Sequence, residues 1–262
     1  MKNCVHVDTW AECEQRLLQI ASDNNGSLSG VWYRGIPKAC WGLTTTLERS
    51  SVDQYFVADY WQLMLRMKPE VETFTGVNWE VPEWSEPNGR FDEYLRQNPA
   101  YGYMAHLRHH GFPSPLLDWT RSMYVAAYFA FKGRTRGNVA IYAFSETPNN
   151  MKFSVAGQPR ICGHGGHNLK THERHFRQQS SYTVCVERDG DTKPWRFASH
   201  ERVLELPEEG QDLLYKITVP SCERRTVLKS LDRYNLNDFS LFGSEEALMN
   251  TLAFREIDLK QK

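Results

Sequence analysis

Leu116-Leu117-Asp118-Trp119-Thr120-Arg121-Ser122-Met123-Tyr124-Val125-Ala126-Ala127-Tyr128-Phe129-Ala130 is the stretch whose reading decides the fold. A short apolar run ends in a polar corner at Asp118, Trp119 and Thr120. A helix follows with Ala126, Ala127 and Ala130 at close spacing. Small side chains let a helix approach a sheet or another helix closely. The corner holds two hydroxyls and a carboxylate where a strand turns into a helix. Backbone N–H groups at such a place favour a phosphate or another polar ligand. Ordinary N-capping by Thr120 or Ser122, with Asp118 supporting the turn, accounts for the same residues.

Outward from this corner, Asn138 to Phe144 is the cleanest strand, set between Gly137 and a polar turn. Gly30-Val31-Trp32-Tyr33-Arg34-Gly35 is a short buried strand closed by glycine. Tyr182 to Val186, Trp195 to Ala198, Val203 to Leu206 and Leu214 to Val219 are further strand candidates. A capping box at Thr9-Trp10-Ala11-Glu12 opens a first helix that ends at Asn24-Asn25-Gly26. A second box, Ser51-Val52-Asp53-Gln54, opens a long helix striped with Phe56, Tyr60, Leu63, Met64 and Met67. Residues 74–92 form an aromatic loop, either lying over a site or packed as a surface excursion. Tyr94 to His110 is expected as one helix. Pro220-Ser221 and Ser244 start two more, the last with Glu245 and Glu246 in its first turn. Helices dominate the first half and strands gather in the second. The class is therefore α+β, a helical N-terminal half packed on a mixed or antiparallel sheet, with residues 1–262 as one domain.

The formal net charge is −1, from 31 basic and 32 acidic residues, which removes the simplest argument for a nonspecific nucleic-acid binder. Arg174, His175 and Arg177 remain as a candidate local basic patch. No stretch approaches the length of a membrane span, and Met1-Lys2-Asn3-Cys4-Val5-His6 has no apolar signal region. Six cysteines, with no CxxC pair, are expected as free thiols in a cytoplasmic protein.

Arg34 lies where a strand end opens into a cleft. Its planar fork suits phosphate or carboxylate, and Gly35 lets a ligand approach the backbone. A buried ion pair with Asp118 is the competing role. Cys162, His164, His167, His172 and His175 invite a metal, but their spacing matches no common zinc site and no His-Glu-x-x-His is present. No metal is expected.

Trp32-Tyr33-Arg34-Gly35 resembles the aromatic-Arg-Gly signature of the FRG domain family. Arg108 to Thr120 is similar to that family's block Gln-His-Tyr-Gly-Leu-Pro-Thr-Arg-Leu-Leu-Asp-Trp-Thr. Tyr128-Phe129-Ala130, Arg174 to Thr183, and Ile217 to Leu252 resemble its later elements, so the resemblance spans about residues 28 to 255. Arg108 stands where the family has Gln, His110 where it has Tyr, and Pro115 where it has Arg. If that arginine holds a ligand in relatives, another cation must do so here. The strand layout is also similar to that of ADP-ribosyltransferases, and this likeness implies an enzyme that uses NAD as a substrate, of a bacterial toxin or phage-defence type. It further implies that Tyr33, Arg34, Gly35, His109, Trp119, Thr120, Tyr182 and Thr183 bind the nucleotide. Where that layout has Glu-x-Glu, this chain has Gln178, Gln179 and Ser180. Asp118, Gln178, Gln179 and Glu245 are the catalytic candidates. The alternative is a noncatalytic module that binds a nucleotide or nucleic acid in the same cleft.

Overall fold

The computed structural model describes residues 3–24, 30–50, 55–87, 91–146, 157–165, 173–190, 193–204 and 212–260. One sheet of eight described strands organises them. In chain order these are β1 (Cys4–His6), β2 (Val31–Ile36), β3 (Leu117–Thr120), β4 (Asn138–Ser145), β5 (Arg160–Gly165), β6 (Ser180–Glu187), β7 (Arg196–Phe197) and β8 (Leu213–Pro220). The spatial order is β1-β8-β4-β2-β3-β6-β5, with β7 on the far end of β6. The edge pair β1–β8 is parallel and the remaining pairs are antiparallel.

Strand β4 shows why the apolar run at 139–144 is continuous. Val139, Ile141 and Ala143 join one core cluster, and Ala140, Tyr142 and Phe144 join another on the opposite face. A strand buried on both faces has no polar side to alternate with. The first face is covered by α1 (Trp10–Asp23), α6 (Met123–Phe131) and α9 (Arg224–Arg233). Helix α6 lies so close to β2 that a Cβ on Gly35 would sit 1.8 Å from the carbonyl oxygen of Ala126. Ala126, Ala127 and Ala130 are fully buried there, as their small size implied.

Beside this layer, α3 (Val57–Thr75), α4 (Phe91–Gln97) and α5 (Ala100–His109) cover β6 through Tyr182, Val184 and Val186. The expected helix from Tyr94 to His110 is two helices. It breaks at Asn98 and Pro99, where the Asn98 side chain accepts the N–H of Ala100 at 3.0 Å, and the proline lacks an N–H to continue the ladder. The aromatic loop is a packed excursion: Trp79 lies against Tyr103 and His106, and Trp84 against Trp61 and Tyr94. The Ser51–Gln54 capping box and Asn25-Gly26 lie outside the described residues.

The opposite face is closed by residues 37–45 and by α8 (His200–Leu204), which replaces the strand expected from Val203 to Leu206; Glu205 and Leu206 lie outside the described residues. Glu201 of α8 accepts the Leu43 N–H at 3.0 Å and so ties the two segments together. The first helix is capped as expected: Thr9 Oγ1 accepts the Glu12 N–H at 3.3 Å. The Glu12 carboxylate, however, reaches one residue further back to the N–H of Asp8. At the C-terminal end, α10 (Asp238–Phe242) packs against α7 (Glu173–Arg177) and α11 (Glu245–Ala253), and its Leu241 joins the core cluster of α9. All six cysteines are free, three of them buried. No described helix is long and apolar enough to cross a membrane.

Candidate functional site

Strands β2 and β3 share one paired position, Tyr33 with Thr120. Arg34 pairs across the sheet with Tyr142 of β4, and its guanidinium reaches back to β3. There Nη1 donates to the backbone carbonyl of Asp118 at 2.5 Å, not to its carboxylate. The carboxylate is held instead by Arg108 at 2.7 Å, from the last turn of α5. The expected alternative of an Arg34–Asp118 ion pair is therefore corrected: Arg108 is the partner. Asp118 remains 36% exposed, so this ion pair contributes little to stability, about 1 kcal/mol at most. Burial lowers the pKa of Arg34, and nearby Arg108 and Arg49 lower it further, against the opposing pull of Asp118. Arginine stays charged through such shifts. Among the described residues, Arg34 Nε, Arg108 Nε and Asp118 Oδ1 are buried without a hydrogen-bond partner.

Tyr182 stands directly across from Asp118 in the β3–β6 pairing. Its hydroxyl lies 2.6 Å from His109 Nε2 and 2.8 Å from His175 Nδ1. A phenol has one proton, so it donates to one imidazole and accepts from the other. Burial pushes His109 down to about 4, with His175 and Arg108 acting in the same direction and Asp118 opposing, so His109 is neutral at pH 7. Burial and the nearby Asp118 raise Tyr182 far above the usual phenol range. Tyr101 packs edge-on to Tyr182 and stacks on His164, with ring centroids 4.2 Å apart. The result is a His-Tyr-His chain, its His109 neutral, beside a partly exposed carboxylate and two guanidinium groups.

The other expected site residues fall into place differently. Thr120 Oγ1 donates to the Gln178 carbonyl at 2.7 Å and accepts the Ser122 N–H, so it braces the turn at the corner. Ser122 caps α6 by accepting the Val125 N–H. Gln178 and Gln179 are not on the strand. They form the turn between α7 and β6, with Gln179 at φ 48°, and the Gln178 amide is directed to the Leu241 carbonyl. Trp119 is buried, and its indole N–H donates to Thr183 Oγ1 at 2.8 Å. Thr183 in turn lies 3.0 Å from His200 Nε2. Tyr33 is packed in the core beneath α6. Gly35 makes room for the backbone of α6, not for a ligand; this corrects the ligand-approach expectation. Glu245 is exposed in the first turn of α11, whose Ser244 cap accepts the Ala247 N–H. It is not among the groups acting on Arg34, His109 or Tyr182.

The basic patch also dissolves. Arg177 pairs with Glu173, Arg174 lies over the Phe242 ring, and His175 is buried against Tyr182. Among the described residues no three His, Cys, Asp or Glu side chains are placed to hold a metal. His167 and His172 lie outside the described residues. The sequence reading missed His175 and His200 as members of the site. His175 sat in a histidine-rich stretch that invited a metal, and only the turn at Gln178–Gln179 folds it back onto Tyr182.

Residues 29–138, less than half of the chain, match the family model of the FRG domain. That segment includes Arg34, His109 and Asp118 but leaves β4, the partner of β2, almost wholly beyond it. No curated protein and no solved structure matches the chain.

Proposed function

We propose that the protein is an ADP-ribosyltransferase-like enzyme that uses NAD as a substrate in the cleft around Arg34 and Asp118. Asp118 is the observation that carries this reading: a carboxylate partly open to solvent, steadied by Arg108, with its second oxygen unpartnered among the described residues. Transfer breaks the bond between the ribose C1′ and the nicotinamide nitrogen, and nicotinamide leaves with the bonding pair. Positive charge develops on the ribose, which a carboxylate beside it stabilises. The acceptor then bonds to C1′ and releases a proton, which neutral His109, backed by Tyr182 and His175, is able to take. Asp118 thus replaces the charge that Gln178 and Gln179 cannot supply, and Glu245 has no part.

One observation favours the noncatalytic alternative. Arg108 already neutralises the Asp118 carboxylate at 2.7 Å, which suits a module that binds a nucleotide without cleaving it. Net charge and the absence of a basic patch among the described residues favour a small nucleotide over nucleic acid as its ligand. Nicotinamide release from NAD decides between the two. The transferase reading expects release by the wild-type protein and a loss of roughly 10²–10³-fold in Asp118→Asn, the scale of removing a transition-state charge contact. No release by the wild type, or equal release by the variant, overturns it.

A further inference from the structure

A cavity lies away from the Arg34 cleft, where α6, α9, α10 and α11 meet. Its volume is about 340 Å³, towards the lower end for a small-molecule site. None of its lining residues belongs to the cleft around Arg34 and Asp118. Tyr128, Leu228, Leu236, Phe254 and Ile257 give it an apolar wall. Part of that wall is an irregular piece of helix. After α11 the chain widens into a π-turn over Phe254–Asp258, with the Leu259 N–H donating to the Phe254 carbonyl at 3.0 Å. Such turns are rare and occur frequently at functional sites. Here the turn supplies Phe254, Ile257 and Asp258 to the cavity.

Five charged side chains line the cavity, and they are not equally satisfied. Asp232 accepts two bonds from Arg255, at 2.8 and 2.9 Å, and Asp258 accepts Arg224 at 3.0 Å and also Arg134. Lys132 and Asp238 are different. Their charged atoms stand 3.9 Å apart, too far for a hydrogen bond, and among the described residues the Lys132 ammonium has no acceptor. It lies instead over the Phe242 ring, 4.7 Å from the centroid, with Phe129 and Tyr128 at 5.8 and 6.0 Å. Arg224 donates to the Lys132 carbonyl at 3.2 Å, which ties it to the end of α6 that carries Lys132. Its Nε–H is buried without an acceptor among the described residues.

We propose that this cavity binds a free α-amino acid with an apolar side chain. The carboxylate takes the unpartnered donors of Lys132 and Arg224 Nε, the ammonium takes the Asp238 carboxylate, and the side chain packs on Leu228, Leu236 and Phe254. A zwitterion spanning Lys132 and Asp238 gives each the charge-assisted bond that the other does not provide at 3.9 Å. A plain anion would meet three carboxylates, and a plain cation would leave both donors without an acceptor. The site and the transferase reading share no residue, so each can fail without the other.

The test is calorimetric titration of the full chain with leucine, glycine, leucinamide and N-acetylleucine. Leucine is expected to bind at least about tenfold more tightly than glycine, which has nothing to place on the apolar wall. Masking either end of leucine should weaken binding by about tenfold, the scale of one hydrogen bond to a charged group. Two variants separate the contacts. Lys132→Gln should lose the preference for leucine over leucinamide and keep that over N-acetylleucine. Asp238→Asn should do the reverse. A site that is merely loosened weakens every ligand alike, and that result in both variants overturns the assignment. So does a wild-type protein that binds no leucine at millimolar concentration, or that binds leucine no more tightly than glycine or the two masked forms.

Discussion

Gly35→Ala is the sharpest perturbation of the scaffold beneath the site. The added Cβ would lie 1.8 Å from the Ala126 carbonyl oxygen and 2.7 Å from the Ala130 nitrogen, both backbone atoms of α6. Backbone cannot rotate aside, so the helix must retreat by roughly 1.5 Å to reach ordinary contact distance. A radial gap of about 0.5–1 Å already forfeits a quarter to a half of a van der Waals contact. The contacts at risk are those of Ala126, Ala127, Ala130 and Phe131, all fully buried. The cost should reach about 3 kcal/mol, the top of the usual range for overpacking. For a chain of this size that lowers the melting temperature by about 6–12 °C. Gly133→Ala is the control: nothing lies within 4 Å of its added Cβ, and its effect should stay within about 0.5 kcal/mol. Thermal unfolding followed by circular dichroism reads both. A Gly35→Ala protein that melts within about 2 °C of wild type, yet loses ligand binding, would refute the packing account and return Gly35 to the ligand.

Three further outcomes are expected. Gln179→Gly should raise stability by about 1 kcal/mol in denaturant titration, because it relieves a non-glycine residue at φ 48°; a loss would show that the side chain holds the turn. Tyr182→Phe should cost about 2–3 kcal/mol by stranding both His109 Nε2 and His175 Nδ1, and a neutral result would argue against the His-Tyr-His chain. Burial holds His109 down to about 4 and His200 down to about 3, against an ordinary 6.5, so the fold favours their neutral forms. That stability is complete above pH 6.5 and is lost as pH falls, towards 4 for His109 and towards 3 for His200, at roughly 1.4 kcal/mol per pH unit for each histidine. Imidazole proton resonances of either residue titrating near pH 6 would contradict the assignment.

Much of the sheet was legible because burial writes itself into strands such as β4 and into the small residues of α6. Helix caps at Thr9 and Ser244 were legible because a hydroxyl before a helical run has one local use. The break at Asn98–Pro99 was missed because the apolar pattern continued across it. The short α8 read as a strand because five residues carry too little periodicity to separate the two forms. Arg34, His109, Asp118 and Tyr182 stand out from their motifs as site candidates, whereas their bonds do not. Which cation takes the Asp118 carboxylate depends on where α5 ends over β3, a tertiary fact that spacing does not hold. His175 and His200 enter only through folding: one through a turn with a left-handed Gln179, the other through a helix packed behind Thr183.

The most direct test of the site is a crystal structure of the protein with a non-hydrolysable NAD analogue. The account predicts the diphosphate against Arg34 and Arg108, and the nicotinamide ribose within hydrogen-bond reach of Asp118 Oδ1, close to Tyr182. An analogue bound elsewhere on the molecule, with the Arg108–Asp118 pair unchanged and the buried donors still without an acceptor, would contradict it.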